Sequence, residues 1–256
     1  MREISFAVAT HPGLRRTGNE DAYITRTDLG LFVVADGMGG HAAGEVASKI
    51  AIDVIEGFIA DTRDADPNRT WPFPYDSRLS FEGNRMKAAF RLANRRIASA
   101  MSEDDALRGM ATTAAAVLMG KGPPVIAHVG DSRVYLWRDA QLKPLTEDHS
   151  WVGEQVRAGV LSDADARRHP WRNVVTRALS GGDDPDVEVS ERALVPEDRV
   201  LICSDGLSSV VSHERLEAIF AEALPLEETC QRLIDAANDA GGPDNITAVV
   251  LNIDVA

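Results

Sequence analysis

LFVVADGMGGHAAGEVASKIAI, residues 31–52, is the stretch from which the fold can be read. An apolar run over 31–35 stops at Asp36; Gly37, Gly39 and Gly40 follow, and then a helical spacing begins. The run is short and rich in Val and Phe, as a buried strand is. The glycines let the backbone turn sharply and bring carbonyls and amides close to a ligand. A carboxylate at the mouth of a buried strand is costly unless something positive meets it. Taken alone, the segment also reads as a plain strand–loop–helix connection whose Asp caps the turn, since Asp-Gly is a common turn pair.

Working outward, Val46, Ile50, Val54 and Phe58 recur at helical spacing with Ala47 and Ala51 beside them, which predicts a helix over 41–60 buried on that face. Upstream, Ile4, Phe6 and Val8 alternate, so 4–10 is a strand; RRTGNED (15–21) is a charged loop, and 22–26 is a second strand. Downstream, 61–80 is rich in Pro, Asp and Arg and reads as an exposed loop, with Trp71, Phe73 and Tyr75 packing on the surface. Residues 81–102 return to a helix with Met86, Ala89, Phe90, Ala93 and Ile97 on one face. Four short runs over 112–145 look like an antiparallel meander with a hairpin tip at Asp139-Ala140. His128, inside one run, reads as a core histidine. Residues 146–186 change character and form an excursion with helical pieces, one of them starting near Ser162. Strands over 187–194 and 199–203, helices over 212–223 and 226–240, and a last strand over 246–255 complete the chain. Hairpin-linked strands with helices in pairs predict an α+β fold: two antiparallel sheets covered by helical layers, in one domain over 1–256. A doubly wound parallel sheet would need a strict strand–helix alternation that 112–145 lacks.

The chain has 256 residues, 40 acidic against 27 basic, and a formal charge of −13. That balance argues against nucleic acid or an anionic membrane as the main partner. Cys203 and Cys230 do not make a disulfide framework. No apolar run approaches the roughly 18 residues of a membrane span, and the start lacks a secretory signal pattern. A soluble, cytoplasmic protein is expected, with monomer as the default state.

Aspartates stand at the ends of apolar runs: Asp36 after LFVVA, Asp131 after VIAHVG, Asp205 after VLICS, and Asp244 just before the last run. Their recurrence suggests strand ends converging on one acidic pocket. Such a pocket stays ionised only if cations neutralise it. No Cys or His pair has metal-ligand spacing, which disfavours zinc and copper, and no calcium-binding loop of the EF-hand type occurs; oxygen ligands favour Mg²⁺ or Mn²⁺. Two such ions about 3.5–4 Å apart can lower the pKa of a water and clamp an in-line displacement at phosphorus. Arg16 is the candidate grip on phosphate oxygens, with Glu20 and Asp21 in the same loop.

These residues together resemble the metal-dependent protein phosphatase 2C-like family, bacterial branch. The matching motifs run in family order: RTGNED (16–21), ADGMGGHAAGE (35–45), GMATTAAAVL (109–118), HVGDSRVYL (128–136), LTEDHS (145–150), CSDGL (203–207) and GGPDNIT (241–247). The resemblance implies a four-layer αββα sandwich and hydrolysis of phosphoserine and phosphothreonine in proteins. It implies that Asp36 bridges two Mn²⁺ or Mg²⁺ ions and that the Gly37 carbonyl and Glu20 serve the second. Asp205 and Asp244 would complete the first, and Asp131 with Asp205 would hold a third. By the same resemblance Asp21 orients water, Arg16 binds the substrate phosphate, and 146–186 contains a flap beside the site. Substrates would be phosphoproteins, opposing a serine/threonine kinase. One departure concerns the position after the Asp-Gly, where animal relatives carry a His read as general acid. Met38 stands there and cannot donate a proton; His41 lies nearby in sequence, and the acid is left unassigned. The competing readings are a non-catalytic phosphoprotein-binding scaffold of the same fold and a phosphatase for a small phosphoester.

Overall fold

The structure, a computed structural model, describes residues 4–39, 43–65 and 71–254. His41 and part of the 61–80 loop lie outside the described residues. The chain starts with β1 (Ile4–His11), β2 (Asp21–Arg26) and β3 (Leu31–Met38), followed by two long helices, α1 (Ala43–Asp61) and α2 (Phe81–Glu103). Strands β4 (Ala111–Thr112), β5 (Ala114–Leu118), β6 (Val125–Val129), β7 (Arg133–Arg138) and β8 (Gln141–Pro144) follow. The excursion carries α3 (Trp151–Arg157) and α4 (Asp163–Ala166). Then come β9 (Glu188–Glu191), β10 (Arg199–Cys203), α5 (Asp205–Ser208), α6 (His213–Ala221), α7 (Leu226–Asp239) and β11 (Ile246–Ile253).

The strands form two antiparallel sheets, ordered β1-β11-β10-β7-β8 and β2-β3-β5-β6-β9, with β4 paired to β3. Side-chain parity explains the layers. In β3, Leu31, Val33 and Ala35 pack on α1 and α2, while Phe32 and Val34 face the other sheet. In β11, Ile246, Ala248 and Val250 pack under α6 and α7, while Val249, Leu251 and Ile253 face inward. Strands apolar on both faces belong to a sandwich covered on both outer sides, so the expected four-layer αββα order is what the chain adopts.

Two expectations change. The predicted meander is not one sheet: β6 pairs with β9, while β7 pairs with β10 and β8 in the other sheet. Gly130, at φ +103°, carries the crossing between them. A run buried on both faces gives no sign of which sheet it joins. The buried face of α1 is also rotated from the expected one. Ala43, Ala47, Ala51, Ile55 and Ile59 are buried, while Val46, Ile50, Val54 and Phe58 pack at its margin. Small side chains let the helix approach the sheet closely, and the larger ones flank the contact. Other expectations hold: the α2 face is buried as predicted, and Asp139 and Ala140 both take positive φ at the β7–β8 tip; Cys203 and Cys230 are both buried and free. Trp71 packs on Phe58, Tyr75 and Phe81.

Candidate metal centre

The same parity aims four polar side chains into one end of the inter-sheet layer. Asp21 and Asp36 are register partners on β2 and β3. Asp36 shares its face with Phe32 and Val34, and Ser204 continues the inward face of β10. Across the gap, Asp21 Oδ2 accepts hydrogen bonds from Ser204 Oγ and Thr247 Oγ1, both at 2.7 Å. One carboxylate of one sheet is therefore tied to two strands of the other. Its Oδ1 is buried with no hydrogen-bond partner among the described residues.

Asp205 opens α5 directly after β10, Asp131 sits in the β6–β7 crossing, and Asp244 precedes β11. The carboxyls of Asp36 and Asp205 stand within hydrogen-bonding reach. The glycine after each of these two aspartates is required by space. A Cβ on Gly37 would lie 2.1 Å from the Gly44 carbonyl oxygen, and one on Gly206 would lie 1.9 Å from that of Asn245. Glu20 is fixed through its backbone: its N–H donates to Asn245 Oδ1 at 2.8 Å, and its carbonyl accepts from Ser48 Oγ at 2.6 Å. Asn245 Nδ2 also donates to the carbonyls of Pro12 (2.9 Å) and Gly18 (2.8 Å), which shapes the loop that carries Arg16.

Burial and mutual repulsion dominate the electrostatics. Burial, then the charges of Asp21, Asp205, Asp131 and Asp244, push the Asp36 carboxyl well above the usual range. Asp131 and Asp205 are raised in the same way, by burial first and neighbouring carboxylates second. Asp21 is pushed up to about 7, chiefly by burial, against the hydrogen bonds from Thr247 and Ser204. Two guanidiniums stand near. Arg133 grips Asp148 through two bonds of 2.7 and 2.6 Å and partly offsets the charge at Asp131. Arg16, half-exposed at the rim, places Nη2 2.8 Å from Asp244 Oδ2. An all-oxygen donor set with an orphaned buried carboxylate oxygen and too little positive charge fits hard divalent cations.

A family model for protein phosphatase 2C matches residues 15–239. The chain belongs to the protein phosphatase 2C family. It is similar to protein phosphatase PhpP of Streptococcus pneumoniae, at 31% identity over 255 residues and 98% of each chain. Its fold is similar to the crystal structure of the Mycobacterium tuberculosis serine/threonine phosphatase PstP/Ppp, with a TM-score of 0.86 at 34% identity over 98% of this chain and 99% of that one. A second solved structure, the catalytic domain of PstP in complex with two manganese ions, gives a TM-score of 0.82 at 34% identity over the same shares.

In this member of the protein phosphatase 2C family, the fold brings Arg16, Glu20, Asp21, Asp36, Gly37, Asp131, Asp205 and Asp244 to one end of the sandwich. Ser204, Thr247 and Asn245 were not singled out from the sequence. Each lies within a motif quoted for the resemblance, Ser204 and Asn245 beside an aspartate and Thr247 three residues after Asp244, and that position was the available signal.

The fold also assembles a histidine pair that sequence spacing did not show. His128, His149 and Glu188 offer ligand atoms within 4.8 Å of one another. Their hydrogen bonds close the trio to a metal. The Gly130 N–H donates to His149 Nδ1 at 3.2 Å, so Nε2 carries the proton and faces Glu188 Oε2 at 3.4 Å. A metal on that Nε2 would require a proton on Nδ1, opposite another donor. His128 Nε2 bonds the Glu147 carbonyl at 2.8 Å, and its ring stacks on His149 at 4.6 Å. Burial lowers both histidines, His149 to about 4, so the pair is neutral at pH 7 and ties β6 to the start of the excursion.

Proposed function

We propose that this chain removes phosphate from phosphoserine and phosphothreonine in proteins with the help of Mn²⁺ or Mg²⁺. The observation that carries the reading is the meeting of Asp21, Asp36, Asp131 and Asp205, whose carboxyls are raised by burial and by neighbouring carboxylates, Asp244 among them, and call for cations. Asp36, the Gly37 carbonyl, Glu20, Asp205 and Asp244 are the groups that would hold two ions, with Asp131 and Asp205 available to a third. Such ions, when bound, supply an activated water and neutralise charge at phosphorus.

The chain's own groups have separate tasks. Among the described residues Arg16 bonds Asp244 through Nη2, which leaves its other N–H groups available to grip phosphate oxygens. Asp21, held rigidly through Oδ2, presents Oδ1 as the acceptor for a proton of the attacking water. Met38, beside Gly37 on β3, offers no proton to the leaving alkoxide. Water adds at phosphorus, the phosphoester P–O bond breaks, and inorganic phosphate and the free hydroxyl leave.

In this reading the enzyme acts in the cytoplasm as a monomer and reverses the work of a serine/threonine kinase. Among the described residues no helix is long and apolar enough to cross a membrane. The test is phosphate release from phosphothreonine and phosphoserine peptides with Mn²⁺, stopped by a chelator and restored by added metal. A purified, folded protein that releases none under those conditions would end the proposal.

A further inference from the structure

The excursion and the α5–α6 segment enclose a cavity of about 330 Å³ beside the metal centre. Asp131 and Asp205 form its inner end, so it is continuous with the site. Its apolar wall is Val152 and Val156 from α3, facing Val211 and Leu216. Its volume lies within the roughly 300–1,000 Å³ usual for ligand sites. The outer wall is tied together without a ligand. Trp151 stacks on His169 at 4.7 Å and meets Trp171 edge-on at 4.8 Å, and Ser150 bridges Val175.

Most charges around the opening are paired. Arg133 is spent on Asp148, and Arg157 lies 3.6 Å from Glu147. Asp131 and Asp205 belong to the metal centre. Arg167 and Arg172 remain, exposed and without an ion pair to any described residue. Arg167 also faces the exposed Glu214, whose carboxyl its charge lowers, while Arg172 has no such neighbour among the described residues, so the lip keeps positive charge on a chain of net charge −13. Because Asp131 and Asp205 line both the cavity and the metal centre, polypeptide flanking a phosphorylated residue seated there would lie close to this opening.

We propose that the cavity is a specificity pocket for the substrate chain: it takes a branched aliphatic side chain near the phosphorylated residue, and acidic neighbours of that side chain meet Arg167 and Arg172. The inference rests on the phosphatase reading above and names its substrate class, acidic phosphoproteins with an aliphatic anchor. The opening is apolar within and positive at the lip, and the recognition needs both features.

Phosphothreonine peptides of equal length test it at saturating Mn²⁺. One set carries leucine with two glutamates, on either side of the phosphothreonine. A second replaces leucine with serine, and a third replaces the glutamates with lysines. The acidic leucine peptide should exceed the lysine peptide by about tenfold in kcat/KM, mostly through KM, and the ratio should shrink as salt rises. Arg167→Glu with Arg172→Glu should abolish or reverse that ratio, and Val156→Lys should remove the preference for leucine over serine. Both arginines are exposed and make no close ion pair with a described residue, and circular dichroism checks that the variants fold. Equal hydrolysis of all peptides by the unsubstituted enzyme, or a preference unmoved in the arginine variant, would overturn the pocket and leave the phosphatase reading standing. Failure to release phosphate from any peptide or from p-nitrophenyl phosphate would overturn both.

Discussion

Asp21→Asn should make the metal-free protein more stable while destroying its activity, and the gain should grow with pH. The Asp21 carboxyl is pushed from 3.8 in the unfolded chain to about 7 in the folded one, chiefly by burial. A carboxyl raised in this way binds its proton more tightly when folded, so stability falls as pH rises between those two values. The full loss is present above about 7. Three pH units at about 1.36 kcal/mol each put the cost near 4 kcal/mol at pH 8, against about 2 at pH 5. Asparagine carries no such cost. Its amide still accepts from Ser204 and Thr247, and the value near 7 already includes what the charged bonds contribute. The variant should therefore gain about 4 kcal/mol at pH 8 and about 2 at pH 5. For a chain of this size the gain at pH 8 is about 8–16 °C in Tm. Thermal unfolding of both proteins in chelator across pH 5–8 measures it, and added Mn²⁺ should narrow the difference because cations relieve the same repulsion. A difference that stays flat with pH, or a wild type more stable than the variant at pH 8, would refute the reasoning.

Asp36→Asn and Asp205→Asn should each lose at least about a hundredfold in Mn²⁺-dependent turnover and bind Mn²⁺ more weakly by calorimetry; full activity in either would remove the metal assignment. Arg16→Ala should raise KM for phosphopeptide about tenfold with a smaller change in kcat. Its stability in urea should change by less than about 1 kcal/mol, because the pair with Asp244 is exposed. A pure kcat loss would argue against a phosphate grip. Gly206→Ala should destabilise by about 2–3 kcal/mol in the same urea assay, since the added methyl meets a backbone oxygen at 1.9 Å. A neutral result would mean that the Asp205 turn yields more easily than its contacts imply.

The acidic cluster was legible because each aspartate ends or precedes an apolar run, and an ionisable group there needs an explanation. β3 was legible as buried because it is apolar on both parities, Leu31, Val33 and Ala35 as well as Phe32 and Val34. The same property hid the crossing between β6 and β7. With an apolar layer on each side of each sheet, Ile126 and Val134 look alike in sequence though they come from opposite sheets. The hydroxyls of Ser204 and Thr247 were illegible for a different reason. A serine or threonine within a few residues of an aspartate is commonplace, and its meaning appears only when β10 and β11 lie opposite β2. Arg16 and Asp244 meet across 228 positions, which no local pattern reports.

The bonds to Asp21 also tie the site to the packing of the whole sandwich. Asp21 belongs to one sheet, and Ser204 and Thr247 continue strands of the other. Sliding one sheet past the other by a single residue, about 3.3 Å, would break both 2.7 Å bonds and separate Asp36 from Asp205. Away from the site, much of the resistance to that slide comes from the inter-sheet layer, Phe32, Val34, Val200, Ile202, Val249 and Leu251 among it. Those side chains touch no predicted ligand, yet their interlocking fixes the spacing of the carboxylates. Shortening Phe32 or Ile202 should therefore weaken Mn²⁺ binding as well as the fold, with the loss of affinity seen in protein that calorimetry shows to be fully folded. Unchanged affinity in such a variant would show that the hydroxyl bonds alone hold the two sheets in register.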